Sequence, residues 1–282
     1  MVLSLVITKA NHSFASPVLA VVNRWIRWFV VAGCLAEVSL YFGWFDRSFG
    51  ILYFVYLITW FWMESVYRWL TIKAISASPL PLFPRFIINR SGDEWPVQRR
   101  YLKLREILRE KGFSPVQALR SEVATSFYLR VSVYQDSGAM TRLQVSFLPQ
   151  PMGNISICFH LVSRLADGTR LVTDNHYLPF AGFYAETCFV HRMPNRRNFI
   201  RLLNYHKKRV ALSGRPTVAW TTEPLEDLNA QQSELERINT EMGFLLPHAE
   251  HEEHGRISYE GRYRIWKEML SLNYFGRAAD YH

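Results

Sequence analysis

His248, Glu250, His251, Glu252, Glu253 and His254 form the densest group of potential ligands in the chain. The His-x-x-His-x-x-His spacing could bring three imidazoles onto one metal. It is not HExxH, and no helix is indicated beneath it, so the run reads as a solvated polar loop. No metal site is therefore expected, and His248, His251 and His254 are the residues that would supply one. Cys158 and His160 share the expected non-core face of a strand, while Cys188 and His191 lie in another segment. A Cys–His nucleophile pair needs contact in space, which this spacing does not supply. The chain has no GxxxxGK[ST], no strand-GxGxxG-helix unit and no GxSxG elbow, so the nucleotide-binding and hydrolase classes that such motifs betray have no support. No catalytic residue and no cofactor are assigned.

Two carboxylates stand in unusual surroundings. Residues 28–44 read WFVVAGCLAEVSLYFGW and residues 51–72 read ILYFVYLITWFWMESVYRWLTI, with a short polar turn between them. Each run is about the length that crosses a bilayer core, roughly 17–25 residues. The pair predicts a transmembrane helical hairpin. Glu37 lies near the middle of the first run and Glu64 lies in the second. A charge at the bilayer centre costs a few kcal/mol and marks a pairing or functional role. Glu64 has Arg68 four residues on, at the spacing of a helical ion pair, and folding the hairpin brings Arg27 to a similar depth. Glu37 has no matching cation. It is expected to contact a partner subunit, to be protonated and bonded within the hairpin, or to lie on a proton or ion path. Ala32, Gly33, Ala36 and Ser39 form a small-residue face suited to close packing on the second helix or on a neighbouring protein.

Basic residues orient the hairpin. Lys9, Arg24 and Arg27 precede it, and Arg68, Lys73, Arg85 and Arg90 follow; the turn has only Arg47, beside Asp46. This bias predicts both termini on the cytoplasmic side of a bacterial inner membrane. Trp25, Trp28, Trp44, Trp60, Trp62 and Trp69 include several residues near the expected interfaces. The net charge of +9 suits anionic lipid or acidic partners. The three cysteines have no CxxC pairing, which fits a reducing compartment.

The expected organisation is an arm over 1–27, the hairpin over 28–73, a Pro-rich linker over 74–95, a cytosolic α+β domain over 96–220 and a helical segment over 221–282. A helix is predicted from Asp93 or Glu94 to Lys111, with Leu102, Leu104, Ile107 and Leu108 on its apolar face. Phe127, Leu129, Val131 and Val133 alternate with polar neighbours, as do Leu143, Val145 and Phe147, then Ile155, Ile157, Phe159 and Leu161. With Arg170–Thr173 and a strand within 183–191, this predicts a meander of about five strands with one buried face. A helix over 195–212 carries the apolar stripe Phe199, Leu202, Leu203, His206 and Val210. Its basic residues, Arg197, Arg201 and Lys208 among them, could meet lipid headgroups or an acidic partner. Thr222 is expected to cap a helix running to Met242, and another helix is expected over 261–272.

Ile257-Ser258-Tyr259-Glu260-Gly261-Arg262, between a two-stranded turn and the last helix, resembles the wing and final helix of winged-helix regulators. That resemblance covers about 40 residues and implies a module for nucleic acid or protein. The whole layout resembles uncharacterised bacterial membrane proteins with two N-terminal helices and a cytosolic α+β domain, which implies no function. The expected function is an accessory or scaffold subunit of a membrane complex, with lipids and other subunits or a second copy as partners and no nucleic acid. The alternative is a membrane-tethered enzyme or small-ligand binder using the sheet face. The orientation has a direct test. With native thiols masked, Arg47→Cys should react with an impermeant thiol reagent in intact cells and Ser91→Cys should not; equal labelling or the reverse would refute the charge-bias argument.

Overall fold

The computed structural model describes residues 17–77, 81–92, 95–124, 127–149, 155–176, 180–194, 196–247, 255–276 and 279–281. It is an α+β fold with six helices among the described residues and one mixed sheet. The chain divides into two compact units. One comprises Met1–Ser78, Pro179–Ala181 and Arg262–Arg277; the other comprises Pro79–Leu178, Gly182–Gly261 and Ala278–His282.

The helical unit is built on α1 (Pro17–Tyr41) and α2 (Phe49–Ser76), joined by a short turn in which Gly43 takes φ +63°. The first helix starts and ends earlier than its apolar run. The small-residue face packs against α2: Ala32, Ala36 and Ser39 are buried, and a Cβ added at Gly33 would lie 3.7 Å from the Tyr53 ring. Ser39 Oγ donates to the Leu35 carbonyl at 2.8 Å and also bonds Tyr56 Oη. Small residues allow this approach because little side chain separates the two backbones. The outward faces remain apolar and exposed, with Val30, Leu35 and Val38 on α1 and Phe54, Ile58 and Trp62 on α2. Among the described residues, α2 alone is long and apolar enough to cross a membrane.

Among the described residues the sheet unit holds nine strands: β1 (Phe86–Ile88), β2 (Phe113–Ala124), β3 (Phe127–Asp136), β4 (Thr141–Pro149), β5 (Ile155–Leu165), β6 (Arg170–Asp174), β7 (Cys188–Arg192), β8 (Thr217–Val218) and β9 (Ala279–Tyr281). Their order is β1-β2-β3-β4-β5-β6-β7-β9, with β8 pairing on β5. Every pairing is antiparallel except β6 with β7. The expected meander therefore ends at β6, and the fifth expected strand returns parallel to it. Strand β2 was absent from the sequence expectation. A register shift between Pro115 and Gln117 inverts its alternation, so Phe113 joins the core of one face and Leu119 that of the other.

The expected single buried face is also corrected. Tyr134 pairs with Leu143 and Gln135 with Arg142, so odd residues of β3 share a face with even residues of β4. Val131 and Val133 thus lie on the face opposite Leu143, Val145 and Phe147. One face is covered by α3 (Arg99–Glu110) and α4 (Phe199–Leu212), which bury Tyr101, Leu108, Phe199, Leu202 and Leu203 against Leu143, Val145, Phe159 and Leu161. On the other face, Leu228 of α5 (Pro224–Glu241) joins Phe86, Leu119, Val131 and Val133.

Several helix limits differ from expectation. The first helix of this unit begins at Arg99, and Tyr101 joins Leu108 in the core, while Leu102 is 45% exposed. Asn198 caps α4, accepting from the Arg201 amide at 3.1 Å. Glu223 is the cap residue of α5, and the Thr222 carbonyl accepts from Arg142 Nη2 at 2.8 Å. The last helix, α6, spans Tyr259–Phe275. Before it, Leu245 and Ile257 form a single antiparallel bridge. A Cβ at Gly261 would lie 2.7 Å from the Phe244 carbonyl oxygen, so only glycine fits there. The core assignment separates two leucines of α3. Leu108→Ala should lower unfolding stability of the full chain in mild detergent by about 2–5 kcal/mol, whereas Leu102→Ala should stay within about 0.5 kcal/mol by the same denaturant titration.

Candidate functional site

A row of polar side chains crosses four strands in direct register: Gln144 of β4 opposes His160 of β5, which opposes Asp174 of β6, which opposes Arg192 of β7. Polar residues at matching positions of neighbouring strands must share a face, because side chains alternate along each strand. Asp174 is fully buried. It accepts from Arg192 Nε at 2.9 Å and Arg192 Nη2 at 3.0 Å, and from the His176 amide at 3.2 Å. Arg192 Nη2 also donates to Tyr184 Oη at 3.2 Å. Burial opposes the charge on Asp174, but the Arg192 guanidinium overcomes it and holds the carboxyl well below the usual carboxylate range.

This carboxylate is occupied. His160 Nδ1 stands 3.7 Å from it, beyond hydrogen-bond distance, and His160 stacks against His176 with ring centroids 6.0 Å apart. Burial pulls His176 down to about 4, so its ring is neutral at physiological pH. Asp174 spends most of its hydrogen bonding on Arg192 and the His176 amide, with His160 at ion-pair distance. It tethers the connection from β6 to β7, together with Asn175, whose side chain accepts from the Phe159 amide at 2.6 Å and donates to the Arg196 carbonyl at 3.0 Å.

On the opposite face a polar chain runs through the apolar layer. Thr141 Oγ1 bonds Ser163 Oγ at 3.1 Å, Ser163 Oγ bonds His206 Nε2 at 3.0 Å, and His206 Nδ1 bonds Thr173 Oγ1 at 3.0 Å. Arg209 Nη1 donates to the same threonine at 2.9 Å. His206 is completely buried, and burial lowers its pKa to about 3. A neutral imidazole with both nitrogens bonded belongs to the packing of α4.

The residues singled out from sequence take the following places. In the helical unit, Glu64 Oε1 accepts from Arg68 Nε at 3.0 Å, and Tyr274 Oη of α6 donates to Glu64 Oε2 at 2.6 Å. The cation that reaches Glu64 from α1 is Arg24, and Arg27 is exposed. Trp25 Nε1 donates to the Tyr274 carbonyl at 3.0 Å and Trp266 Nε1 to the Ser65 carbonyl at 3.1 Å, so α6 is fastened to both helices. Glu37 is exposed on α1 and makes no hydrogen bond among the described residues. Arg197, Arg201 and Lys208 are exposed. His248, His251 and His254 lie outside the described residues; among those described, no group of three potential ligands is placed to hold a metal. Cys158 is buried, against the expected non-core face, because both faces of the sheet are covered there, and burial pushes the Cys188 thiol up to about 11, which disfavours the nucleophilic thiolate.

Sequence reasoning missed Gln144, Asp174 and Arg192. The available signal was a charged residue closing each of two apolar strands, RLVTD and CFVHR, where it reads as a strand end facing solvent. No protein-family model, curated protein or solved structure matches the chain.

The buried histidine gives a pH dependence with a definite sign. The unfolded chain takes up a proton near pH 6.5 that the folded His206 refuses until about 3, so stability falls as pH decreases through that interval. The slope from one such group is about 1.4 kcal/mol per pH unit. His176, held down to about 4, adds a loss of the same sign over this interval, and Asp174 adds one only at lower pH, where the unfolded carboxylate protonates. Denaturant titrations of the full chain in detergent between pH 6.5 and 4.5 should show this loss, and His206→Gln should reduce its slope. An unchanged slope would mean that His206 is not neutral in the fold.

Proposed function

We propose that this chain is an accessory or scaffold subunit of a membrane complex. In this proposal α2 crosses a bacterial inner membrane with α1 beside it as a hairpin, both termini are cytoplasmic, and the sheet unit serves as a cytosolic interaction domain. The observation that carries it is the division of α1 into two faces. Ala32, Ala36 and Ser39 are consumed by packing on α2, while Glu37 is exposed between apolar residues such as Leu35 and Val38. A carboxyl left in hydrocarbon costs a few kcal/mol, and a hydrogen-bonding group on another helix offsets that cost. The broad exposed apolar surface of α2 supports the same environment. The exposed cations Arg197, Arg201 and Lys208 suit an acidic partner or anionic headgroups.

The test compares two substitutions by the mass of the assembly extracted from native membranes in mild detergent. Glu37→Gln keeps the hydrogen bonding and should preserve the assembly. Glu37→Leu removes it and should release the chain as a smaller species. An assembly of unchanged mass with Leu there would refute Glu37 as the contact.

A further inference from the structure

Three guanidinium groups surround one indole in the sheet unit. The central guanidinium carbons of Arg142, Arg170 and Arg164 lie 4.2, 5.4 and 5.6 Å from the Trp220 ring centroid. Arg164 and Arg170 are direct cross-strand partners on β5 and β6. Like charges in that position destabilise a sheet. A single carboxylate answers them: Asp227 accepts from Arg142 Nη1 at 3.1 Å and Arg170 Nη2 at 2.7 Å, and also from Gln231 Nε2 at 3.0 Å. Two positive charges are left over within the cluster. Burial, together with repulsion from Arg170 and Arg164, draws the Arg142 pKa below its ordinary value despite Asp227.

The hydrogen bonding is incomplete in the same place. Arg142 Nε, Arg170 Nη1 and Trp220 Nε1 are buried with no acceptor among the described residues. Arg142 is 3% exposed and Trp220 7%, so solvent reaches neither freely, while the Arg170 side chain is 25% exposed and opens the cluster on one side. Buried donors without acceptors are rare and costly, more so when charged. A missing acceptor and a missing pair of negative charges coincide.

We propose that this cluster binds a small dianionic oxyanion of the phosphate class, held by Arg164 and Arg170 beside Trp220. Guanidinium groups suit it because their paired N–H donors match the oxygen spacing of a phosphate. A dianion cancels the excess charge and supplies the absent acceptors. Arg142 already lies over the Trp220 ring at 4.2 Å, so that ring face is not open to a stacked nucleobase. The same chemistry is presented by free phosphate and by a phosphomonoester lipid headgroup. This inference rests on the sheet unit and is independent of the membrane-subunit proposal.

The test uses the full chain in mild detergent, titrated with inorganic phosphate in a calorimeter, and the full chain reconstituted in phosphatidylcholine vesicles with or without phosphatidic acid. Saturable phosphate binding is expected, weakened about ten- to a hundredfold by Arg164→Gln or Arg170→Gln, the loss that follows from removing one charged hydrogen bond. Arg215→Gln, at an exposed ion pair with Asp167, should leave it unchanged. Without phosphate, Arg164→Gln should be at least as stable as the parent, because it removes repulsion, and a phosphate concentration that raises the parent's melting temperature should raise the variant's much less. Binding to phosphatidic acid alone, lost in the same two variants, would support the site and assign the anion to a headgroup. Binding of neither probe, or binding indifferent to both substitutions, would overturn the proposal, as would an unliganded Arg164→Gln chain less stable than its parent.

Discussion

Asp174 is completely excluded from solvent, and a carboxylate can remain charged there only because Arg192 forks onto it from the neighbouring strand. Removing one member of such a pair leaves an uncompensated buried charge, a loss of about 3–5 kcal/mol. The pair also has a topological consequence. Its members sit opposite each other on β6 and β7, the one parallel junction among the described strands. A parallel pair needs an excursion between its strands rather than a tight hairpin turn. The tethers of that excursion lead back to the same pair: the His176 amide to Asp174, and Arg192 to the Tyr184 hydroxyl. Further along the edge, Arg192 pairs in register with Ala279 of β9.

The two faces of the sheet divide the work. Under α3 and α4 the layer is apolar and closed, and the polar chain through Thr141, Ser163, His206 and Thr173 is internally bonded. The other face is mixed. Its apolar part lies under Leu228, its central row is polar, and its Arg-rich end surrounds Trp220. Charge is balanced in the Asp174 region and unbalanced around Trp220. That difference separates polar groups whose charges are answered within the fold from a cluster that carries excess positive charge.

In the helical unit, Glu64 collects Arg24 from α1, Arg68 from its own helix and Tyr274 from α6. One carboxylate thus ties three helices. The burial that raises the Tyr274 phenol pKa, reinforced by its bond to Glu64, keeps that hydroxyl protonated as a donor. The last helix, which resembles a winged-helix element in sequence, is largely committed to this unit through Tyr274 and Trp266. Glu37 has no comparable attachment among the described residues, and this contrast between two carboxylates on one helix pair underlies the subunit proposal.

Local periodicity determined the helices α2 and α4, the hairpins from β3 to β6 and the α+β class, because these depend on alternation and turn residues within a few positions of one another. The Phe199, Leu202, Leu203 and His206 stripe is buried where its spacing requires. The spacing of Glu64 and Arg68 likewise contained their contact, since a helix brings residues four apart together. Tertiary structure decided what depends on register and on distant partners. Whether Val133 and Leu143 share a face turned on the pairing across one turn, and a bulge in β2 hid a strand by inverting its pattern. The choice of Arg24 over Arg27 for Glu64, the pairing of Asp174 with Arg192, and the gathering of Arg142, Arg164 and Arg170 at Trp220 join residues separated along the chain. A side chain's type shows that it carries charge, but only the folded backbone determines which other charges it must meet.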